Sequence, residues 1–213
     1  MRRSRIVLTT LVLVMGISTQ ASAQSNIEVG LRGNVLLGDG QPANDILGAG
    51  LMGKYYLTDG WFVAATLDVY DYDFERPYKT VGIEQDPNVK TIDSTIRTTA
   101  LGGAIGRHYG DKSGFDWFWS AGVGVGFPDT TNISGPTDSG GTFDLVIDAK
   151  TEIQIMTTLG TTYYLSDRWS FTAAARAEHH FLDITVVDQV SGATGKVESQ
   201  TPLGAYLSVN VAF

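Results

Sequence analysis

The chain has 213 residues, 43% of them hydrophobic and 18% charged, with 25 Gly, 6 Pro and no Cys. That length holds one large domain or two small ones, and the apolar share is too high for a disordered acidic chain. Without cysteine there is no disulfide scaffold, no Cys-based zinc site and no Cys nucleophile, and a net charge of −8 argues against the basic face that nucleic acid requires.

Arg2, Arg3 and Arg5 precede a short apolar run over 6–15, which Gly16 breaks. Ala21-Ser22-Ala23 then supplies an A-x-A cleavage site. Residues 1–23 therefore read as a cleaved secretory signal peptide, since a bilayer-spanning helix takes about 20 apolar residues. The domain proper is 24–213. Cleavage removes three of the 15 basic residues and none of the 23 acidic ones, so the exported chain carries a net charge of −11.

From there the pattern is alternation at period two, the signature of strands, and no stretch shows the three-and-four spacing of a soluble helix. Eight segments are expected, near 26–37, 46–57, 61–74, 94–109, 115–127, 148–165, 168–186 and 201–213. In the first, Ile27, Val29, Leu31 and Val35 oppose Glu28, Arg32 and Asn34. The second sets Gly48 and Gly50 on its polar face. In the fourth, Gly102 and Gly103 blur the alternation, and turning Leu101 and Ile105 outward also turns Arg97 and Arg107 outward near the ends. The fifth has Gly122, Gly124 and Gly126 on one face. In the seventh, Trp169, Phe171, Ala173, Ala175, Ala177 and Phe181 oppose Ser170, Thr172, Arg176, Glu178 and His180. The last places Leu203, Ala205, Leu207, Val209, Val211 and Phe213 on one face, against Gly204, Tyr206, Ser208 and Asn210.

The connections alternate in length. Those at 58–60, 110–114 and 166–167 are tight and rich in Asp, Gly and Ser, whereas 38–45, 73–93, 129–144 and 187–199 are long and polar. An even number of strands, each long enough to cross a bilayer, with short turns at one end and long loops at the other, predicts an all-β, eight-stranded antiparallel up-and-down transmembrane β-barrel. A repeat supports the count: Tyr55-Tyr56-Leu57-Thr58-Asp59-Gly60-Trp61 recurs as Tyr163-Tyr164-Leu165-Ser166-Asp167-Arg168-Trp169. Together with Trp117 and Trp119 after the middle turn, Trp61 and Trp169 put every Trp at the short-turn end, as an interfacial aromatic girdle requires.

These turns and the closing strand resemble the small eight-stranded bacterial outer-membrane barrels of the OmpA/OmpX/OmpW type. The resemblance implies an outer-membrane location in a Gram-negative bacterium, with termini and short turns in the periplasm and long loops outside the cell. It also implies that Tyr206, Val209, Val211 and Phe213 form a C-terminal signal for the barrel-assembly machinery. The expected partners are outer-membrane lipid and lipopolysaccharide, with no nucleic acid, no cofactor, and a monomeric state.

Periodicity alone does not say which face is inside. A soluble lipocalin-like barrel in the periplasm would turn the apolar face inward around a ligand. The inverted arrangement is favoured by the small inward glycines, which suit the crowded interior of eight strands, and by the Trp rim. It places Glu28, Arg32, Lys54, Asp68, Asp116, Glu152, Arg176 and Glu178 in the lumen as a paired network. The expected role is structural, surface-interacting or small-solute, without catalysis. Among enzymes, a lipid-modifying barrel would need a Ser beside His179 or His180, and Phe181 and Leu182 follow instead. The cluster Asp68, Asp71, Asp73 and Glu75 lacks the spacing of a calcium loop.

Overall fold

The computed structural model describes residues 26–37, 45–57, 60–75, 77–86 and 93–213. The segment read as a signal peptide lies outside these residues. Among the described residues there are eleven strands and one helical turn: β1 (Ile27–Leu37), β2 (Asp45–Tyr56), β3 (Trp61–Glu75), α1 (Pro77–Thr80), β4 (Asp93–Tyr109), β5 (Phe115–Pro128), β6 (Thr131–Pro136), β7 (Thr142–Ala149), β8 (Glu152–Tyr164), β9 (Trp169–Asp188), β10 (Thr194–Gln200) and β11 (Leu203–Ala212).

Eight of these close a barrel. The antiparallel ladder runs β1-β2-β3-β4-β5-β8-β9, β11 pairs with β9, and β1 pairs back with β11 from Glu28↔Ala212 to Leu37↔Leu203. Closure leaves no unpaired edge in the barrel wall. The tight turns join β2 to β3, β4 to β5 and β8 to β9 at one end. In the β4–β5 turn, Lys112 adopts a positive φ of 59° and its backbone N–H donates to Asp116 Oδ2 at 2.8 Å.

The other end departs from expectation. The stretches 129–144 and 187–199, expected as loops, contain β6, the start of β7, and most of β10. The segment 148–165, expected as one strand, is broken at Lys150-Thr151, so that its first residues belong to β7 and the rest to β8. The cause is the length of β9, 20 residues. Its first part pairs with β8 and β11. Its upper part rises above the barrel and pairs with β7 (Ala149↔Ile184 to Leu145↔Asp188) on one side and β10 (Gln200↔His180 to Thr194↔Val187) on the other. Pro202, which lacks an N–H, marks the change of partner from β10 to β11, and its carbonyl accepts from Glu178 N at 3.1 Å.

Two apolar clusters divide the interior. Met52, Tyr56, Phe62, Phe118, Ala174 and Tyr206 pack in the lumen. At the long-loop end, Phe143, Leu145 and Ile147 of β7, Ile184 and Val186 of β9 and Tyr78 of α1 form a core continuous with Leu36, Ile46, Tyr72 and Ile96 at the barrel mouth. The extra strands thus fold over the barrel as a cap with its own apolar core. Burial of each such side chain contributes about 1.5–3 kcal/mol.

Candidate functional site: an ion-paired lumen inside an apolar wall

Inward and outward positions alternate along the barrel strands, and the inward ones carry the buried charges. Glu28, Arg32, Lys54, Asp68, Asp116, Glu152, Arg176 and Glu178 are all buried. They fall into three layers. Nearest the short turns, Lys54 Nζ lies 3.1 Å from Glu28 Oε1, and the Tyr56 hydroxyl donates to Glu28 Oε2 at 3.3 Å. Beside them His108 Nε2 is 2.7 Å from Asp116 Oδ2, and Lys112 caps the layer with its Nζ 3.5 Å above the Tyr56 ring.

In the middle layer the Arg32 guanidinium grips Asp68 with two nitrogens, Nε at 2.8 Å from Oδ1 and Nη2 on Oδ2. Asn34 Nδ2 donates to the same carboxylate at 3.1 Å, and Tyr206 lies 5.4 Å beneath the guanidinium. In the upper layer Arg176 pairs with Glu178, whose other oxygen is 2.6 Å from His180 Nε2. The Tyr72 hydroxyl sits between His180 Nδ1 at 2.8 Å and Glu152 Oε1 at 2.9 Å, and Gln154 donates to Glu152 as well. An ion taken out of water costs several kcal/mol unless it is paired, and here each carboxylate has a cation or a set of donors against it.

Glycine makes room for this. A Cβ on Gly50 would stand 2.1 Å from Asp68 Oδ1, and one on Gly126 would stand 2.4 Å from Glu152 Oε1. Both glycines are register partners of the carboxylate residue they face. The lumen members that sequence reading passed over are Tyr56, Tyr72, His108 and Gln154. Each shares inward parity with a charge already named on its own strand or the next, which was the available signal.

The outward face is the reverse. Leu101 is 52% exposed, Val123 62% and Leu207 69%, and their exposed apolar neighbours run round the wall. This inverts the soluble lipocalin-like alternative, in which these side chains would be inside. The register of β4 is settled with Leu101, Ile105, Arg97 and Arg107 all outward, through Leu67↔Leu101 and Leu101↔Val125. The stretch from Arg97 to Arg107 is about 34 Å long at about 3.4 Å per residue, and stands about 26 Å tall at a tilt of about 40°. That is the height of a bilayer's hydrocarbon band. Trp61, Trp117, Trp119 and Trp169 all project outward at its short-turn edge.

In the closing strand Val209 is outward and Tyr206 inward, but Val211 is buried at 5% exposure where the odd-numbered face was expected to meet lipid. Its register neighbours Val29 and Trp169 crowd it from both sides. The carboxylates Asp68 and Asp71 diverge to opposite faces of β3, Asp71 pairing outside with Arg97 at 2.8 Å. Among the described residues no cluster of His, Cys, Asp or Glu has the geometry to hold a metal ion. His179 faces outward with Nδ1 2.8 Å from Thr201 Oγ1, away from the buried His180.

The cap stands above this band. Lys150 Nζ bonds Asp183 Oδ2 at 2.7 Å and holds that carboxyl below its ordinary value. Burial raises the Asp188 carboxyl, but hydrogen bonds from Ser191 and from the Asp144 N–H at 2.8 Å outweigh it and hold the group below the usual range. Asp188 thereby ties the β9–β10 turn to β7.

No protein-family profile and no curated sequence matches the chain, but solved structures do. It is similar to the outer membrane protein OprG from Pseudomonas aeruginosa at 12% identity and a TM-score of 0.59, over 89% of this chain and 97% of that one. It is also similar to the outer membrane protein AlkL, solved in DMPC lipid bilayers, at 13% identity and a TM-score of 0.50, over 92% of this chain and 94% of that one. With charges inside, apolar side chains outside and a closed ring of eight strands, the chain has the fold of the small bacterial outer-membrane β-barrels.

Proposed function

We propose that this protein is a closed outer-membrane barrel that acts through its surfaces rather than by passing solutes through its lumen. The observation that carries the reading is the two-part seal along the barrel axis. Three layers of paired charge fill the lumen, and the apolar core of the cap lies over the mouth. An ion entering from water would have to displace a buried pair and cross a largely apolar layer that holds no charge to replace its hydration. The apolar band anchors the barrel in lipid. The long-loop end faces outward with exposed Glu84, Asp129, Asp138, Asp144, Asp148 and Glu198, against Lys79, Lys150 and Lys196. This acidic surface favours cationic partners and divalent-bridged lipopolysaccharide over anionic polymers. The protein works as a monomer, without a cofactor and without catalysis, and is inserted by the barrel-assembly machinery. Reconstitution in planar bilayers tests the reading. The expected result is no sustained conductance above bare lipid, whereas a steady open-pore conductance would replace the sealed barrel with a channel.

A further inference from the structure

Arg97 and Arg107 both point outward from β4, but their settings differ. Arg97 is paired with Asp71. Arg107 meets no carboxylate among the described residues and lies instead among aromatic rings. Its register neighbours are Trp61 on β3 and Trp119 on β5, and Tyr109 follows two positions on. The guanidinium carbon is 5.8 Å from the centre of the Trp61 ring and 5.3 Å from that of Tyr109. The frame is itself braced: Tyr109 stacks on Trp117 at 5.1 Å, Trp61 meets Trp119 edge-on at 5.8 Å, and Trp119 Nε1 donates to the Tyr109 oxygen at 3.3 Å.

Aromatic faces attract a guanidinium through its flat side and leave its N–H edge free for a planar or tetrahedral anion. The other polar hydrogens of the frame are donors too: the Tyr109 hydroxyl and the indole N–H groups of Trp61 and Trp117. The Tyr109 oxygen already accepts from Trp119. The result is a positive set of donors at the short-turn edge of the apolar band, the depth at which headgroups begin. We infer that Arg107, framed by Trp61, Tyr109, Trp117 and Trp119, is a binding site for the phosphate of a phospholipid in the leaflet that holds the short turns. The inference rests on the membrane-spanning reading. A charge-assisted contact of this kind orients the barrel against that leaflet and pins its depth.

Native mass spectrometry of the full chain in maltoside micelles tests it, with phosphatidylglycerol, phosphatidylethanolamine or the neutral monogalactosyldiacylglycerol titrated in. The wild-type protein is expected to retain one phospholipid about tenfold more tightly than the galactolipid, a ratio equivalent to about 1.4 kcal/mol. Arg107→Gln should abolish that preference and Arg97→Gln should keep it. Equal retention of galactolipid and phospholipids by the wild type overturns the inference, as does an unchanged preference in Arg107→Gln. The wild-type comparison decides alone if the variant does not fold. Heat-modifiable gel mobility of the wild type checks the membrane barrel separately, so its failure is distinguishable from loss of the site.

Discussion

Removing the Asp68 carboxylate probes whether the lumen is dry. Asp68 accepts from Arg32 Nε at 2.8 Å, from Arg32 Nη2 and from Asn34 Nδ2 at 3.1 Å, and the Arg32 and Asp68 side chains are only 3% and 2% exposed. Asp68→Ala deletes all three bonds and leaves a guanidinium with the Tyr206 ring as its nearest compensation. A buried charge stripped of its partner costs about 3–5 kcal/mol, whereas an exposed pair is worth about 0–1 kcal/mol. The double variant Arg32→Met with Asp68→Ala removes both charges and should recover most of the loss. The assay is reversible urea unfolding in lipid vesicles, followed by tryptophan fluorescence, with an unchanged slope as the control that only stability moved. A single-variant loss below about 1 kcal/mol would mean that water screens the pair, and would refute the sealed lumen.

Other expectations follow from the same geometry. Ala175 faces outward on β9 between Trp169 and Phe181, and Ala175→Arg should cost about 2–4 kcal/mol in lipid vesicles, the penalty of a charge at mid-bilayer; a neutral result would reverse the inside–outside assignment. Deleting Phe213 should lower the amount of heat-modifiable protein in outer-membrane fractions while the purified variant still refolds in detergent, because the pairing of β11 with β1 and β9 is retained; normal outer-membrane levels would remove its role as an assembly signal. Asp188→Ala should speed amide exchange in the cap about fivefold, the equivalent of one net hydrogen bond of about 1 kcal/mol. The Asp188 carboxyl is lowered by folding, so its contribution is complete above the unfolded value of about 3.9 and is lost as pH falls through the lower folded value. Wild-type cap exchange should therefore approach that of the variant only in strong acid, after correction for intrinsic rates.

The barrel strands and their faces were legible from the chain alone because alternation is local. Glu28, Arg32 and Lys54 share parity with their neighbours whatever the rest of the fold does, and the rigid period of the pleat carries that parity along each strand. The same rule located the Trp rim and the inward glycines. Which charge meets which was another matter. Arg32 faces Asp68 across β2, and Tyr72 reaches His180 and Glu152 across the lumen, through the register and closure of the whole ring. Parity puts a side chain on a face, but the stagger of the strands sets its height. The cap shows the boundary between the two. Phe143, Leu145, Ile147 and Ala149 alternate visibly against Thr142, Asp144 and Asp148, yet nothing local says that this strand leaves the barrel wall. It does so because β9 outgrows its neighbours, and the exposed upper edges of β9 must find backbone partners, which β7 and β10 supply. Sequence determined the eight barrel strands and their two faces; the tertiary structure decided the pairs, the three cap strands and the aromatic frame of Arg107, because those depend on contacts between residues far apart in the chain.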